Sequence, residues 1–251
     1  MTQSIPTAAV LLIGDEILSG RTKDKNLGFI ADYLAALGID LMEARVVADV
    51  EGDIAAAVNA LRGRYTYVFT TGGIGPTHDD ITADSVAKAF GVGIGHDPKA
   101  VAILHAYFKT IGREANEARM RMARIPDGAS LIENSVSVAP GFQMENVFVM
   151  AGVPKVMQAM MDAVAQRLVK GVPMQSRTVE FLGGEGDIAK PLAEIQERYP
   201  SVIIGSYPFQ TPEGFATNLV LRSRDEGVLE KALAEVRAAA TELIAQGKAR
   251  G

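Results

Sequence analysis

The chain of 251 residues contains no cysteine and no tryptophan, and it has only three histidines. Without cysteine the protein can have no disulfide framework, no thiolate nucleophile and no cysteine-ligated zinc. The sequence also lacks the phosphate-loop pattern G-x-x-x-x-G-K-S/T, the nucleophile elbow G-x-S-x-G and the zinc-binding pair H-E-x-x-H. These absences argue against an ATPase of the P-loop type and against a serine hydrolase.

The charge balance excludes a broad basic surface. The net charge is −5, and 48% of the residues are hydrophobic. An acidic chain does not offer the positive surface that duplex nucleic acid requires, whereas its apolar content is sufficient for a large buried core. We therefore expect a globular protein whose partners are small molecules rather than nucleic acid.

The first apolar run of the chain extends from Ala8 to Ile13 and has no basic flank. It ends in Gly14-Asp15-Glu16, and it is too short to span a bilayer. The run therefore predicts a buried strand rather than a signal peptide, and we expect a cytoplasmic protein with no membrane association.

Strands alternate with amphipathic helices in the first part of the chain. The predicted strands are Ala8 to Ile13, Ile39 to Val47 and Tyr65 to Phe69, and the predicted helices are Asn26 to Leu37, Gly52 to Arg62 and Ile81 to Phe90. Such alternation predicts a parallel sheet with right-handed crossovers, in which the carboxyl ends of the strands share one edge.

Beyond these elements the sequence predicts another buried strand at Val147 to Met150. Three methionines of the following helix share one face and are most simply core residues: Met157, Met160 and Met161. Three alternate glycines follow a helix rather than precede one, so we predict a plain loop at Gly91, Gly93 and Gly95.

A change of composition around Gly171 and Pro173 predicts a linker between two domains, residues 1–172 and 173–251. The second domain has the predicted order strand, helix, strand, strand, helix. Its elements are Thr178 to Leu182, Asp187 to Tyr199, Val202 to Tyr207, Phe215 to Arg222 and Glu226 to Ala245, with a hairpin turn at residues 211–214. This order fits a small α+β domain.

The most informative segment is TTGGIGPTHDDIT at residues 70–82, which directly follows the third strand. Glycines without side chains leave the backbone amides open to phosphate oxygens, and the amino end of the next helix also favours an anion. The simpler alternative is a glycine turn with an Asp or Thr helix cap, because these residues are common between a strand and a helix.

Acidic residues follow all three predicted strands. They are Asp15, Glu16, Asp49, Asp79 and Asp80. Because the carboxyl ends of parallel strands lie along one edge, we expect these side chains to converge there. A carboxylate cluster beside a phosphate-binding elbow suggests a bridging metal ion, although solvated loop carboxylates are the alternative.

Several motifs together resemble the MoaB/Mog-like domain of the CinA family. They are TGGIGPTHDDIT at residues 71–82, GDEILSG at 14–20, APGF at 139–142, GVP at 152–154 and GSYP at 205–208. The N-terminal region of eukaryotic FAD synthase is similar too. The resemblance implies a three-layer α/β domain with a mainly parallel sheet, followed by a small KH-like α+β domain. It also implies a molybdopterin-type or nucleotide-type ligand at the elbow.

The resemblance further implies divalent-metal-dependent hydrolysis of a pyrophosphate bond, in ADP-ribose or FAD, with release of AMP. Asp80 and Asp49 match the catalytic acids of the family, and together with Asp15 they would hold magnesium, manganese or cobalt. The residues expected to contact phosphate are Thr71, Gly72, Gly73, Gly75, Thr77 and His78. Relatives also suggest a homodimer or homotrimer. The chain length leaves no room for an amidase or adenylyltransferase domain, so neither activity is expected.

Two other functions are considered. A non-catalytic module would hold molybdopterin or a nucleotide at the same elbow with an incomplete metal site. RNA binding by the small domain would need a GXXG loop between helices, and residues 187–207 contain none.

The sequence departs from the family pattern at two places that could shape the pocket. Ser137-Val138 replaces the usual Gly-Thr before APG, and Met122-Ala123 replaces the usual Gln-Ala.

Overall fold

The computed structural model describes residues 5–212 and 214–246. Contacts divide the chain into two compact units, which adjoin between Gly171 and Val172. Within the described residues no helix is both long and apolar enough to cross a bilayer.

The first unit alternates strands and helices over most of its length. Its elements are β1 (Thr7–Ile13), α1 (Asp15–Leu18), α2 (Asn26–Ala36), β2 (Asp40–Val47), α3 (Glu51–Arg62), β3 (Tyr67–Thr71), α4 (Thr82–Phe90), β4 (Ile94–His96), α5 (Pro98–Thr110), α6 (Glu117–Met120), β5 (Arg124–Pro126), β6 (Ser130–Ile132), β7 (Gly141–Met144), β8 (Val147–Met150) and α7 (Pro154–Ala165).

Six of these strands form one sheet in the order β2-β1-β3-β8-β7-β6. The first four strands of this order are parallel to one another, whereas β7 and β6 run antiparallel at one end. Because β1 lies in the interior of a sheet covered on both faces, nearly all of it is apolar and buried. The prediction of a mainly parallel sheet is confirmed.

Two hydrophobic layers enclose this sheet. Alternate residues of β1 point to opposite faces, so Leu11 packs with residues of α3, α4 and α5, while Val10 packs with α2 and α7. The methionines predicted to be core residues, Met157, Met160 and Met161, are all fully buried in the second layer. Helix, sheet and helix therefore form the predicted three layers.

Three local predictions were wrong in part. The glycine-rich loop after α4 contains the short strand β4, because Gly95 pairs with the distant Ile125 of β5. Residues Asp15–Leu18, predicted as irregular, form the short helix α1. The third strand extends through Thr71 into the predicted elbow because Thr71 pairs with Met150 of β8.

The second unit has the predicted order strand, helix, strand, strand, helix. Its elements are β9 (Gln175–Phe181), α8 (Glu185–Arg198), β10 (Ile203–Thr211), β11 (Gly214–Ser223) and α9 (Glu226–Ala245). The strands form an antiparallel sheet in the order β10-β11-β9, and both helices contribute to its core. The predicted hairpin turn at residues 211–214 includes Glu213, which lies outside the described residues.

The aromatic pair Phe69 and Phe148 generates a test of the core of the first unit. The two rings stack with centroids 5.2 Å apart, and both side chains are essentially inaccessible to solvent. We expect Phe148→Ala to lower the free energy of unfolding by about 3–5 kcal/mol, measured by urea denaturation, because it opens a cavity. The control Met42→Ala, at a 60% exposed position of β2, should change it by less than about 0.5 kcal/mol. Equal effects of the two substitutions would contradict this packing.

Candidate functional site

The turn after β3 can be formed only by glycines. Gly72 and Gly73 have φ values of +107° and +67°, a region that disfavours side chains. A Cβ atom on Gly72 would lie 2.1 Å from the Ile13 carbonyl oxygen, and one on Gly73 would lie 2.1 Å from the Thr82 hydroxyl. The turn therefore packs directly against β1 and the start of α4.

Thr82 joins this turn to α4. Its buried hydroxyl donates to the Gly72 carbonyl at 2.9 Å, and its amide donates to the Gly73 carbonyl at 3.0 Å. Since these bonds use the two carbonyl groups, the amides of the turn determine which ligand it can accept.

Three consecutive amides of the turn are available to a ligand. The Gly73, Ile74 and Gly75 amides have no acceptor among the described residues. The Gly72 amide differs, because it donates to the Met150 carbonyl at 3.2 Å and completes the edge of the sheet. Of the three glycine amides predicted to bind phosphate, the structure therefore leaves two free and adds that of Ile74. Adjacent free amides form a concave site that suits an anion.

These amides border a cleft of about 690 Å³, named here the elbow cleft. Its apolar wall consists of Ile74, Met122, Ala139, Ala151, Val153, Pro154, Val156 and Met160. Its polar side chains are those of Glu16, Thr22, Asp80 and Ser137. A largely apolar cleft of this volume with a few polar groups is typical of a site for a small organic ligand.

Asp80 lies in the elbow cleft and also stabilises the loop. Its Oδ2 accepts hydrogen bonds from the Thr77 amide at 2.8 Å and from the Thr77 hydroxyl at 2.6 Å. A Cβ atom on Gly75 would lie 2.6 Å from the same oxygen. The side chain therefore serves as a loop cap, and its carboxylate lies beside the free amides.

The other polar residues of the loop lie outside the elbow cleft. Thr77, His78 and Asp79 are exposed and do not line it. The pKa of Asp79 is lowered below its ordinary value, first by the Thr77 hydroxyl and then by its own amide and by His78. Thr71 is buried in β3 and lines a neighbouring recess instead.

Asp15 and Asp49 are brought together by the parallel pairing of β1 and β2. The Asp15 amide donates to Asp49 Oδ2 at 2.9 Å, and the Asp49 amide donates to Asp15 Oδ1 at 3.4 Å. Burial raises the pKa of Asp49, and the negative charges of Asp15, Glu16 and Asp79 raise it further, although the Asp15 amide opposes them. Four of the five predicted acidic residues therefore interact electrostatically.

The protein alone does not offer a complete metal site. Among residues 5–212 and 214–246 there is no group of three or more His, Asp or Glu side chains arranged to hold an ion. The paired carboxylates of Asp15 and Asp49 nevertheless supply hard oxygen ligands in a region of concentrated negative charge. Magnesium often binds through only one or two carboxylates, with phosphate and water oxygens completing its shell. The residues present fit that kind of partial site.

The cleft includes both places where the sequence departs from the family pattern. Met122 and Ser137 line it from different segments. Ser137 is positioned by Asn134, whose Nδ2 donates to the Ser137 hydroxyl at 2.6 Å and whose Oδ1 accepts from the Ser137 amide at 3.1 Å. The adjacent Val138 has a φ of +68°, which is strained for a β-branched residue. Such strain is concentrated at ligand-binding loops in many proteins.

Sequence reasoning missed Arg121 next to Asp80. Its Nη2 donates to the Asp80 carbonyl at 3.4 Å, and its buried Nε has no partner among the described residues. Arg121 follows a short helix in a segment that was predicted as an irregular connection. Only the tertiary fold brings it to the elbow, so no local pattern could have identified it.

Fold and site together define a three-layer α/β protein with an anion-accepting elbow at the carboxyl end of a central strand. Residues 9–171 match the family described as the probable molybdopterin binding domain. The chain belongs to this family. Residues 173–247 match the middle domain of FAD synthase, so the second unit also has a known counterpart.

Individual relatives agree with this membership. Protein TK1472 from Thermococcus kodakarensis is 35% identical over 89% of this chain and 93% of its own length. A probable FAD synthase from Caenorhabditis elegans is 30% identical over 92% of this chain, which spans only 49% of that relative. The crystal structure of the protein CinA from Thermoplasma acidophilum, of unknown function, is 33% identical, with a TM-score of 0.61 over 65% of this chain and 98% of that one. The resemblance to the CinA family is thereby confirmed.

Gly73 generates a test of the turn. We expect Gly73→Ala to lower the free energy of unfolding by at least about 1 kcal/mol, because its φ is positive and its Cβ would overlap the Thr82 hydroxyl. The control Gly52→Ala, in α3 with nothing within 4 Å of the added atom, should be neutral or stabilising. Urea denaturation measures both, and an unchanged Gly73→Ala stability would contradict the described turn.

The raised pKa of Asp49 predicts a dependence of stability on pH. The contribution of Asp49 is fully present below its unfolded pKa and is lost as the pH rises through the higher folded value. We expect Asp49→Asn to be more stable than the wild type at pH 7, by less than about 1 kcal/mol, with the gain disappearing below pH 4. Thermal unfolding across this pH range measures the difference. A gain that is the same at both pH values would contradict the repulsion.

Proposed function

We propose that this protein hydrolyses the pyrophosphate bond of a nucleotide such as ADP-ribose or FAD and releases AMP. The observation that carries the proposal is the run of three unpaired amides at residues 73–75, beside Asp80 and within an apolar-walled cleft. A pyrophosphate needs fixed donors, while a nucleotide base needs apolar contact area. The elbow cleft offers both within one volume.

The amides would act on the phosphate oxygens. Backbone donors that are held rigidly in place can stabilise the negative charge that develops during hydrolysis, and they require no rearrangement. The turn is held rigidly because Gly72 and Gly73 pack against Ile13 and Thr82. Partial burial strengthens these interactions because it lowers the local dielectric constant.

A divalent cation is part of the proposal. Asp80, with help from Asp49 or Asp15, would hold magnesium, manganese or cobalt together with oxygens of the substrate's phosphates. When bound, such an ion lowers the pKa of a coordinated water and polarises the phosphate. The acidic group around Asp49 favours a cation because its carboxylates repel one another. Asp80 and Asp49 are the residues proposed to be essential for turnover.

The second candidate is a module that binds molybdopterin or a nucleotide without turnover. One observation favours it: Asp80 Oδ2 already accepts two hydrogen bonds from Thr77, so the carboxylate can be explained as a structural cap. The printed description of the matching family, a molybdopterin binding domain, suits this candidate as well.

Release of AMP tests the two candidates. We expect the metal-stripped protein to release AMP from ADP-ribose or FAD only after magnesium, manganese or cobalt is added. Asp80→Asn keeps an oxygen for Thr77 but removes the charge, so we expect turnover to fall by about 100-fold or more with little change in melting temperature. The control Asp53→Asn, exposed on α3, should keep full activity.

The outcomes separate the candidates clearly. Metal-dependent AMP release that is lost in Asp80→Asn supports hydrolysis at the elbow. Binding of nucleotide or pterin without AMP release from either compound would support the module instead. Activity that survives Asp80→Asn unchanged would place hydrolysis elsewhere.

A further inference from the structure

A second recess of about 290 Å³ adjoins the elbow cleft. The two share Glu16, Thr22, Gly152 and Pro154, so the recess opens from that side of the cleft. Met122 and Ala139 wall the cleft alone. A ligand anchored at the amides of the turn could therefore extend in two directions, toward an apolar wall or into the recess.

Asn26 lies at the floor of this recess and has an unsatisfied acceptor. Its side chain is only 4% exposed, and its Nδ2 donates to the Gly152 carbonyl at 2.8 Å. This hydrogen bond orients the amide group and identifies Oδ1 as the remaining polar atom. Oδ1 is buried and accepts no hydrogen bond among the described residues. Buried polar atoms without partners are rare, because leaving one unpaired costs free energy.

The surroundings of Asn26 indicate what kind of donor could satisfy it. Glu16 adds a second acceptor to the recess, and the exposed Lys23 and Lys25 lie at its rim. A sugar carries several hydroxyl donors and follows directly after a phosphate in a nucleotide sugar. A flat base suits the apolar wall of the elbow cleft better, because stacking requires apolar area. The recess is also large enough for a single sugar ring.

We infer that the recess is a sugar subsite in which Asn26 Oδ1 accepts a hydrogen bond from a hydroxyl group beyond the pyrophosphate. This inference rests on the proposed function, since the pyrophosphate must occupy the elbow for the sugar to reach Asn26. Asn26 is thus a specificity residue that distinguishes a substrate bearing a terminal sugar or polyol from a simple nucleoside diphosphate.

The test compares two probes of equal charge. ADP-ribose carries the terminal sugar, whereas the methyl ester of ADP at its terminal phosphate lacks it. Calorimetric titration in the presence of calcium should show that the wild-type protein prefers ADP-ribose by about tenfold. Asn26→Ala should bind both probes with similar affinity, because the acceptor is gone. The control Asn59→Ala, exposed on α3, should keep the wild-type preference.

Each outcome has a distinct meaning. A preference that disappears in Asn26→Ala supports the subsite, because a merely structural role would weaken both probes equally. Equal affinities in the wild-type protein would overturn the subsite while leaving nucleotide binding intact. Failure of both probes to bind the wild-type protein would overturn the proposed function and the subsite with it. If Asn26→Ala does not fold, the wild-type comparison and Glu16→Gln, which retains the Asn26 acceptor and should preserve a clear preference, decide the question.

Discussion

The attachment of a glycine turn to its two neighbours is the constraint on which the site depends. Gly72 lies directly over the Ile13 carbonyl, and Thr82 uses its buried hydroxyl to bond the Gly72 carbonyl. With the Gly72 amide joined to β8 through Met150, every other polar group of that residue is satisfied. The amides of residues 73–75 are therefore left without protein partners while their positions are held firmly. A preorganised donor site is a direct consequence of this packing.

Charge around the turn is divided between two places. Asp80 lies next to the free amides and is bound to Thr77, whereas Asp15 and Asp49 exchange backbone hydrogen bonds after β1 and β2. The first carboxylate is neutralised locally by donors, and the second pair remains under mutual repulsion, as the raised pKa of Asp49 shows. A cationic centre accompanying a phosphate ligand would relieve that repulsion. This division explains why one acidic cluster can include both a structural cap and candidate metal ligands.

Much of the fold could be predicted because its signals are local. The apolar run before Gly14, the amphipathic helices and the final helix from Glu226 to Ala245 need only periodicity to be recognised. The elbow glycines and Asp80 were identified as candidates in the same way. Strand β4 was missed because a three-residue segment gains its stability from Ile125 and its neighbours, about 30 residues away. The state of the Gly72 amide was missed for the same reason, since its acceptor belongs to β8.

The sequence by itself determined the layered α/β architecture, the position of the glycine turn and the acidic residues at the strand ends, because hydrophobic periodicity and glycine chemistry act over short stretches of chain. Only the tertiary structure decided which of these groups remain available. It placed Arg121 beside Asp80, moved Thr77 and His78 outside the cleft, and left the Asn26 oxygen buried and unpaired in a separate recess. Availability depends on hydrogen-bond partners from remote segments, and these partners are specified only when the packed elements come together.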